Sequence, residues 1–555
     1  QALKLLKASY FEQVKMIYID PPYNTKSENF IYRDNFTASE DSILDELGYS
    51  ADYKDYIKNI QGARTHSGWL SFMFPRLLLA RDLLKDDGVI FISIDENEQA
   101  NLKLLCDEVF GEANFVAGLP VVMNLKGNQD NFGFADTHEY CCVYAKNKNS
   151  CVIRHFSIDE ESLDSDWQED DWGLFKKADT LRRTGQDASR ERRKNGWFPV
   201  FIDVEGGVYA TENNEPKNDS DVWLWPINSE GEELSWSWSK NKINTEPHNL
   251  IVIEGRDGKN VYKKQRPQLG DLPTSKPKTI WYKSDYSTST ATTQLKKLLT
   301  RKVFQGPKPV PFIKDLLTIG SDENSLILDF FAGSGTTGQA VMELNAEDGG
   351  KRKFILVQLP EAIDAKKQKD AYEFVTQTLG KPEATIFEIT AERLRRAGEK
   401  IKKDHADKEG IANLDIGFKA FALADDPMQQ FYKPLHEVTP EDLAQLEIAL
   451  SSERLEASLP TILVNLLLAE KLPVSTPIIP LVENALYQAA NVLLIVNDLP
   501  IERIQSALSE TQNRVEYVSI YSPNISGAKR DQFSQELKPA LAQMGLDESR
   551  LRFRG

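Results

Sequence analysis

The stretch Val14–Asn24, with the sequence VKMIYIDPPYN, organises the whole chain. Its first six residues are mostly apolar and β-favouring, which predicts a short buried strand that ends at Asp20. Pro21 and Pro22 fix their own φ angles and hold the preceding residues near extended geometry. The sequence therefore predicts a carboxylate and its neighbouring carbonyl groups as a rigid set of hydrogen-bond acceptors at a strand tip.

Tyr23 adds a flat aromatic face next to these acceptors. A flipped-out nucleobase stacked on that face would bring its exocyclic amino group to the acceptors. The alternative is an ordinary strand-end Asp that caps a helix, with the two prolines as a turn. For an isolated motif of this kind the alternative is the better interpretation, and only a second site reverses it.

The totals restrict the class of protein. At 555 residues the chain is too long for one core, and about three or four domains are expected. The net charge of −17 argues against a surface that is basic throughout, so any nucleic-acid binding must come from local basic patches. The longest apolar run, Leu459 to Ala469, is shorter than the roughly 20 residues of a membrane span.

Cysteine and histidine usage favours a reduced, cytoplasmic setting. The four cysteines form no CxxC pair and have no metal-ligand spacing with the six histidines, so neither a zinc site nor a disulfide framework is predicted. Cys141 and Cys142 lie inside a predicted strand and are interpreted as packing residues. The chain starts at Gln1 in what resembles the middle of a helix, from which we expect further upstream sequence.

Strands and helices alternate on either side of a long middle segment, which predicts a doubly wound α/β sheet with ligands at the carboxyl ends of its strands. Helical spacing begins at Trp69, with Pro75 expected to kink the helix and Gly88 to stop it. The elements expected next are a strand at 89–94, a helix at 96–110, strands at 115–123 and 139–145, a helix at 310–317, and strands at 325–331 and 353–358.

The middle segment, from about Cys151 to Thr290, loses this alternation and is rich in Trp, Gly, Pro and charge. It predicts an inserted domain of short strands and loops. Basic residues cluster in it against an acidic background, which favours phosphate and base contacts over a merely solvated face. The candidate DNA-binding residues of this segment are Arg182, Arg183, Arg190, Arg192, Arg193, Lys194, Lys263, Lys264 and Arg266. Lys26 is a further candidate, in an earlier loop of interleaved aromatic and basic residues. That loop is equally well explained as a packed lid.

A second candidate site follows the predicted strand at 325–331. The stretch Ala332–Thr337, AGSGTT, places glycines at a strand-to-helix turn, where the backbone approaches a ligand closely and the following helix directs N–H groups at it. A GxG pattern alone is weak evidence. Gln358 and Glu361 end a further strand about 20 residues later, where dinucleotide-type folds place a side chain that binds ribose hydroxyls.

The pairing and order of the two motifs are specific: DPPY comes first, a basic insertion follows, and FAGSGTT comes late. This layout resembles the β class of S-adenosylmethionine-dependent DNA amino-methyltransferases, whose fold is permuted so that the catalytic strand precedes the cofactor loop. IYIDPPYNT, GVIFISIDENEQANLKLLCDEVFGEANFVA, HEYCCVYAKN, Lys308-Pro309, RKFILVQLPE and ERLRRAGEKIK resemble the modification (Mod) subunits of type III restriction-modification systems.

The resemblance implies a permuted Rossmann-like sheet with an inserted target recognition domain and a C-terminal α/β domain. The implied domains are residues 1–150 (catalytic part), 151–290 (target recognition), 291–383 (cofactor-binding part) and 384–555 (dimerisation or partner binding). It implies Asp20, Pro21, Pro22 and Tyr23 as catalytic residues. It implies S-adenosylmethionine as cofactor, bound by Asp329, Phe331, Gly333, Ser334, Gly335, Thr336, Thr337, Gln358, Glu361, Lys308 and Pro309.

Two departures from the family pattern concern the cofactor site. Phe330 follows Asp329 where the class often has Pro, a change that we expect the loop to tolerate. Gln358 stands where many members have an acid, so the ribose contact passes either to Gln358 or to Glu361. The tail is expected to begin with an amphipathic helix that has Ile389, Leu394, Ala397 and Ile401 on one side and Arg393, Arg395, Arg396 and Lys400 on the other.

The resemblance further implies double-stranded DNA as substrate, a homodimer, and a restriction (Res) helicase-nuclease partner. By analogy with the family, Asp rather than Ser at the first position of DPPY favours methylation of adenine over cytosine. Asn at that position would favour methylation of protein glutamine. Two alternatives stay open: an orphan or phase-variable adenine methyltransferase without a restriction partner, and a DNA-binding specificity module that has lost catalysis. The chain lacks a Walker-type GKT or GKS loop, so we do not expect it to hydrolyse ATP itself.

Overall fold

The computed structural model describes residues 1–24, 65–124, 126–127, 133–157, 167–185, 187–255, 258–267, 274–423, 458–510, 515–543 and 547–554. Lys26 and the aromatic and basic loop around it lie outside these ranges. Two compact units are present, Gln1–Ile153 with Lys278–Gly555, and Arg154–Pro277. The predicted boundaries of the insertion, 151 and 290, remain predictions.

The described strands are, in chain order, β1 (Val14–Ile19), β2 (Leu84–Ile94), β3 (Phe115–Val122), β4 (His138–Ala145), β5 (Phe156–Ser157), β6 (Trp167–Asp170), β7 (Gly173–Thr180), β8 (Val200–Ile202), β9 (Val208–Tyr209), β10 (Val222–Leu224), β11 (Leu250–Gly255), β12 (Gly258–Gln265), β13 (Thr274–Ser275), β14 (Leu326–Asp329), β15 (Lys353–Leu356), β16 (Ile478–Val482), β17 (Leu486–Ala489), β18 (Val492–Ile495), β19 (Tyr517–Tyr521) and β20 (Leu551–Arg554).

The described α-helices are α1 (Ala2–Tyr10), α2 (Thr65–Leu83), α3 (Gln99–Phe110), α4 (Lys240–Thr245), α5 (Thr288–Leu299), α6 (Val310–Gly320), α7 (Thr336–Asp348), α8 (Lys369–Glu373), α9 (Ile386–Asp404), α10 (Leu459–Ala469), α11 (Ile501–Glu510) and α12 (Gly527–Gln543). A π-helical stretch, Phe374–Thr378, continues α8. Single 3₁₀ turns lie at Glu112–Asn114, Lys194–Gly196, Pro247–Asn249, Ser284–Tyr286, Ile411–Asn413, Ser522–Asn524 and Glu548–Arg550.

The central sheet of the first unit has the order β15-β14-β1-β2-β4-β3. The four strands from β15 to β2 are parallel, whereas β4 and β3 are antiparallel to their neighbours. All six side chains of β1 are buried, as expected of a central parallel strand with both faces covered. The predicted α/β sheet is confirmed, with the late strands β14 and β15 beside the first strand of the chain.

Helices cover both faces of this sheet. On one face, Ile17 and Ile19 belong to the same apolar cluster as Trp69 and Phe72 of α2. On the other face, Tyr18 meets Phe312 of α6 edge to face at 6.3 Å. Because β1 sends its side chains alternately to the two faces, both layers pack against the strand that ends at Asp20.

Gly88 does not stop the helix that contains Trp69. That helix ends at Leu83, and Gly88 lies inside β2, next to a register shift in the pairing of β1 with β2. A side-chain carbon on Gly88 would approach Leu84 and the Lys85 carbonyl to 2.9 Å. Glycine is therefore needed here because the backbone approaches Leu84 and Lys85 closely within an irregular strand. In the sequence, such a glycine cannot be told from one that ends a helix.

The second unit, Arg154–Pro277, is built of short strands, as expected for the middle segment. Its sheets have the orders β10-β8-β9, β11-β12-β7-β6 and β13-β5. The apolar cluster that joins them includes Val200, Ile202, Trp236 and Val261.

The C-terminal part of the first unit has a five-stranded mixed sheet of order β16-β17-β18-β19-β20. Its strands β18 and β19 are parallel neighbours, and α11 lies between them in the chain. Within the described ranges, no helix is long and apolar enough to cross a membrane. Nor does the described part of the chain hold a cluster of three or more His, Cys, Asp or Glu side chains placed for a metal ion.

Candidate active site

The two sequence motifs meet because β1 and β14 are neighbouring parallel strands. Met16 pairs with Ile327 and Ile17 with Leu328, so both strands run in the same direction and end at the same edge of the sheet. After β14 the next strand in the chain, β15, lies on one side of the β14–β1 pair. After β1 the next strand, β2, lies on the other side. Such a switch in strand order opens a crevice at the carboxyl ends, where α/β proteins bind ligands.

Asp20 sits at the tip of β1 in a largely buried position. Its carboxylate lies 3.3 Å from Nζ of Lys308, and its side chain is 29% exposed. Oδ1 of Asp20 is buried and has no hydrogen-bond partner in the described part of the chain. Burial raises the pKa of Asp20, Lys308 lowers it, and Glu139 raises it. The result is a carboxylate that is ion-paired with Lys308 and whose charge depends on its neighbours.

Lys308 connects three groups around Asp20. Its Nζ donates to Oε2 of Glu139 and to the hydroxyl of Tyr23, both at 2.5 Å, and Tyr23 donates to Glu139 at 2.9 Å. Burial lowers the pKa of Lys308, but Asp20 and Glu139 outweigh it and hold that pKa above its ordinary value. Lys308 is therefore a fixed cation beside Asp20 at the tip of β1.

Two further contacts fix the backbone of the DPPY motif. The indole Nε1 of Trp69 donates to the Pro22 carbonyl at 2.7 Å. Asn24, which has a left-handed φ of +58°, donates its side-chain amide to the buried Glu98 at 2.6 Å. The Pro22 carbonyl and Asn24 are therefore both held by side chains from elsewhere in the chain.

Asp329 occupies the matching position at the tip of β14, but its partners are neutral. Oδ1 accepts from the backbone N–H of Phe331 at 3.0 Å, and Oδ2 accepts from the Thr337 hydroxyl at 2.6 Å. Asp329 is only 2% exposed, and burial raises its pKa to about 7. The side chain ties the start of the glycine loop to the first turn of α7.

The loop between β14 and α7 has the backbone that its glycines predict. Gly333 and Gly335 have φ of +52° and +84°, in the left-handed region, and α7 begins at Thr336 directly after them. Ser334, Thr336 and Thr337 are buried. The N–H groups of the first helical turn are directed at this loop, an arrangement suited to polar or anionic ligand groups.

Gln358 contacts the glycine loop itself. Its Oε1 accepts from the backbone N–H of Gly333 at 2.7 Å, while Glu361 is exposed and bonds through its backbone to Leu359 and Ile386. Gln358 thus lies against the loop, and Glu361 lies outside these side-chain contacts. Two other predicted cofactor residues lie nearby in the chain. The ring of Phe331 packs on the ring of Phe72 at a centroid distance of 5.9 Å, and Pro309 directly precedes α6.

The helix expected at the start of the tail is present as α9, and its apolar residues Ile389, Leu394, Ala397 and Ile401 are buried as expected. Arg393 was expected on the opposite, solvent side, and this is wrong. It is 3% exposed and donates to Ser334 and Thr336 of the glycine loop. Arg393 lies one helical turn from Ile389 and Ala397, on the buried face of α9. There the hydroxyl groups of the glycine loop accept its hydrogen bonds.

The basic candidates in the second unit differ in their exposure and in their ion pairs. Lys264 and Arg266 both pair with Asp170 at 2.6 Å, and each has only 13% of its side chain exposed, so they hold β6, β7 and β12 together. Arg190 pairs with Glu233 and Arg192 with Asp187 at the surface. Arg193 and Lys194 are exposed and form no ion pair within the described ranges, whereas Arg182, Arg183 and Lys263 are half-buried.

Four residues at the site were missed from the sequence. Glu139, Trp69 and Arg393 lie far from both motifs along the chain, and no local pattern marks them. Gly338 did have a signal, because Gly333, Gly335 and Gly338 complete a G-x-G-x-x-G spacing. A side-chain carbon on Gly338 would come within 2.6 Å of Leu394 and 3.1 Å of Leu356, which explains the third glycine as close helix–strand packing.

Comparison with known proteins identifies the family. Residues 14–363 match the sequence profile of a family described as DNA methylase, and this match covers more than half of the chain. The chain belongs to the DNA methylase family. Both motifs of this methylase, DPPY and AGSGTT, fall inside the matched residues.

Relatives of this methylase are modification enzymes. It is 54% identical over 428 residues to the type III restriction-modification enzyme EcoPI Mod subunit of Escherichia phage P1, covering 77% of this chain and 64% of that protein. The StyLTI Mod subunit of Salmonella typhimurium is 33% identical over 453 residues, with 80% and 61% covered. The type II methyltransferase M.KpnI of Klebsiella pneumoniae is 32% identical over 354 residues, with 62% and 75% covered.

The chain therefore spans less than two thirds of the length of the two Mod subunits. Among solved structures, the PvuII DNA methyltransferase (cytosine-N4-specific) is 12% identical with a TM-score of 0.31, covering 72% of this chain and 90% of that one.

Proposed function

We propose that this DNA methylase transfers a methyl group from S-adenosylmethionine to the exocyclic amino group of adenine in double-stranded DNA. The observation that carries the proposal is the pairing of β1 with β14, which brings the tips of these strands, Asp20 and Asp329, to one crevice. Neither motif supports the function alone, because a strand-end acid or a glycine turn has many structural uses.

The residues of the glycine loop fit the proposed cofactor. Gly333 and Gly335 adopt left-handed φ angles, so no side chain covers the backbone where a ligand approaches, and the α7 N-terminus follows at once. Gly333, Ser334, Gly335 and Thr336 would hold the cofactor, with Gln358 bracing the loop from β15. The cofactor supplies an activated methyl group on a sulfonium centre.

Asp20 and the Pro21 carbonyl would accept the two N–H groups of the adenine amino group. The amino lone pair is delocalised into the ring, and two acceptors out of its plane favour a tetrahedral nitrogen that can attack. The N–C bond forms as the C–S bond breaks, and one amino hydrogen then leaves as a proton towards the acceptor that binds it. Tyr23 would stack on the flipped base and fix its plane.

Positioning accounts for most of the rate in this scheme. Holding nucleophile and methyl donor in line can contribute on the order of 7–11 kcal/mol, so no covalent enzyme intermediate is required. Burial raises the pKa of the Cys141 thiol well above its ordinary range, and this thiol has no role in the scheme.

The test is genome-wide detection of modified bases in a host that expresses the chain, with Asp20→Ala as the matched control. We expect new N6-methyladenine at one recognition sequence with the wild-type chain and none with the variant. Modified cytosine instead of adenine would overturn the substrate assignment. No new modified base at all would favour a specificity module that has lost catalysis.

We further propose that the chain acts in the cytoplasm as the modification and specificity subunit of a type III restriction-modification system, as a homodimer and with a helicase-nuclease partner. The likeness to the EcoPI and StyLTI Mod subunits supports this role. Copurification from the native host tests it: a large ATP-dependent partner is expected. Methylation of the recognition sequence without any partner would favour the orphan alternative.

The second unit is proposed to recognise the target sequence. Arg193 and Lys194, which are exposed, are the best candidates for phosphate contacts in the described part of this unit, whereas Lys264 is committed to Asp170. Arg193→Ala should weaken DNA binding uniformly across sequences and reduce the salt dependence by about one ion. Lys264→Met should instead lower the unfolding temperature, and a reversed result would contradict this division.

A further inference from the structure

Helix α9 carries a buried arginine that is aimed at the glycine loop. Arg393 donates through one Nη atom to Oγ of Ser334 at 2.6 Å and to Oγ1 of Thr336 at 2.7 Å, and through Nε to Oε1 of Gln339 at 2.9 Å. It is 3% exposed. Three separate acceptors on one short stretch therefore fix the guanidinium plane.

These acceptors are all neutral, which is unusual for a buried charge. Within the described ranges Arg393 forms no ion pair with a carboxylate, and burial lowers its pKa to about 10 while the nearby Glu343 opposes the shift. A buried charge without a counter-ion is costly, and most proteins avoid it. A helix that needed only packing would have an apolar residue here, so the position requires another explanation.

The same face of α9 contacts Gly333, Gly335 and Gly338. Thr390 donates its hydroxyl to the Gly333 carbonyl at 2.6 Å. Its methyl carbon lies 3.0 Å from where a side chain on Gly335 would begin, and Leu394 lies 2.6 Å from the equivalent point on Gly338. The helix thus packs closely behind Gly335 and Gly338 and holds the Gly333 carbonyl.

We infer that Arg393 and Thr390 are positioning residues for the cofactor loop: they hold its carbonyl and hydroxyl groups in the orientation that receives S-adenosylmethionine. A guanidinium group can only donate hydrogen bonds, so both loop hydroxyls must use their oxygens as acceptors towards it. Their orientation is then fixed before a ligand arrives. The inference rests on the proposed function, and it includes α9 in the cofactor-binding part of the methylase, beyond residue 383.

The test separates cofactor affinity from catalysis and from folding. Arg393→Lys keeps the charge but loses the planar fork of donors, and Thr390→Val keeps the shape but loses the hydroxyl. Each is expected to raise the Kd and the KM for S-adenosylmethionine by about ten-fold, as expected when hydrogen bonds at a preorganised site are lost. The KM for DNA and kcat at saturating cofactor should change by less than about three-fold.

Two controls accompany these variants. Thr390→Ser retains the hydroxyl and should restore the wild-type Kd. Arg395→Lys changes an arginine on the same helix that is 48% exposed and pairs with Glu392, and it should have no effect. Isothermal titration of S-adenosylmethionine without DNA gives the Kd, and thermal unfolding of the free protein reports on folding.

An unchanged Kd in Arg393→Lys and Thr390→Val would overturn the inference, even if both variants were less stable. A parallel loss of kcat with unchanged KM would do the same. If the wild-type chain itself bound no S-adenosylmethionine, the proposed function would fail together with the inference. Normal wild-type binding with unaffected variants would remove the inference alone.

Discussion

Asp20 and Asp329 are two carboxylates at the tips of neighbouring parallel strands, and their surroundings differ in kind. The buried Oδ1 of Asp20 lies 3.3 Å from Nζ of Lys308, and Glu139 is nearby. Asp329 has both oxygens occupied by neutral donors, Phe331 N–H and the Thr337 hydroxyl. The same residue type at the ends of neighbouring strands therefore has two different electrostatic environments.

The difference lies in which interaction controls each acid. Charged neighbours act at a distance and shift the pKa of Asp20 in opposite directions, so its ionisation depends on residues that are distant in sequence. Neutral hydrogen bonds act only on contact and fix the geometry of Asp329. We expect substitutions at the Asp20 corner to change the reaction and its pH dependence, and substitutions around Asp329 to change stability.

The largest expected effect is at Asp20. Asp20→Ala removes the acceptor of one adenine N–H and should reduce methyl transfer by on the order of 1,000-fold, by comparison with the loss of other preorganised hydrogen-bond groups. DNA binding and S-adenosylmethionine binding should stay within about three-fold of wild type, because the proposed phosphate contacts and cofactor contacts lie on other residues. Incorporation of labelled methyl and a gel-shift titration measure the two. Substantial methyl transfer by the purified variant would contradict the role of Asp20.

Lys308 and Glu139 should move the pH dependence in opposite directions. Lys308→Met removes the cation that lowers the pKa of Asp20 and leaves burial and Glu139 to raise it, so the acid limb of kcat/KM should shift to higher pH. Glu139→Gln removes an anion that raises the same pKa, and the limb should shift downwards.

The comparison uses full pH–rate profiles with saturating S-adenosylmethionine. Glu112→Gln, at an acid of a surface 3₁₀ turn, is the matched control and should leave the profile unchanged. Shifts in the same direction for Lys308→Met and Glu139→Gln would show that the acid limb does not report on Asp20.

The sequence was sufficient for the frame of the site. β1 is an uninterrupted apolar run before an acid, and AGSGTT is a glycine turn before a helix, and both patterns are local. Their meeting at one crevice followed from the order of the motifs, through the resemblance to a permuted fold. Gly88 shows the limit of local patterns, because a glycine inside an irregular strand and a glycine that ends a helix have the same sequence signal.

The groups that surround the two acids could not be predicted in the same way. Glu139 and Arg393 are brought to the site by strand pairing and helix packing across long sequence separations, and nothing beside them in the chain marks the contact. The amphipathic spacing of α9 predicted that Arg393 faces solvent. Such spacing depends only on the apolar residues of the helix itself and contains no information on the polar glycine loop that Arg393 contacts. Lys264 and Arg266 are equally basic by composition, yet the fold uses both on Asp170.

At Asp329 the expected effect is on stability. Asp329→Ala leaves the Phe331 N–H and the Thr337 hydroxyl without acceptors and should lower the free energy of unfolding by about 2–5 kcal/mol. Asp329→Asn keeps an acceptor for Phe331, and the Thr337 hydroxyl can accept from the new amide, so the loss should be about 1 kcal/mol or less. Urea titration followed by tryptophan fluorescence measures both. Equal losses in the two variants would contradict the hydrogen-bond explanation.

The smallest expected effect is at Thr337, and it depends on pH. The folded-state pKa of Asp329, about 7, lies above the ordinary value of 3.8, so its contribution to stability is greatest below about pH 4 and falls as pH rises to 7. The Thr337 hydroxyl opposes this fall because it donates to the ionised form. Thr337→Val should therefore cost about 1–2 kcal/mol at pH 8 and less at pH 5, where the acid is largely protonated. Thr293→Val, which removes an exposed hydroxyl bonded to Ser289, is the matched control. A cost at Thr337 that did not change with pH would mean that the hydroxyl only fills space, and the contrast between the two acids would then rest on Asp20 alone.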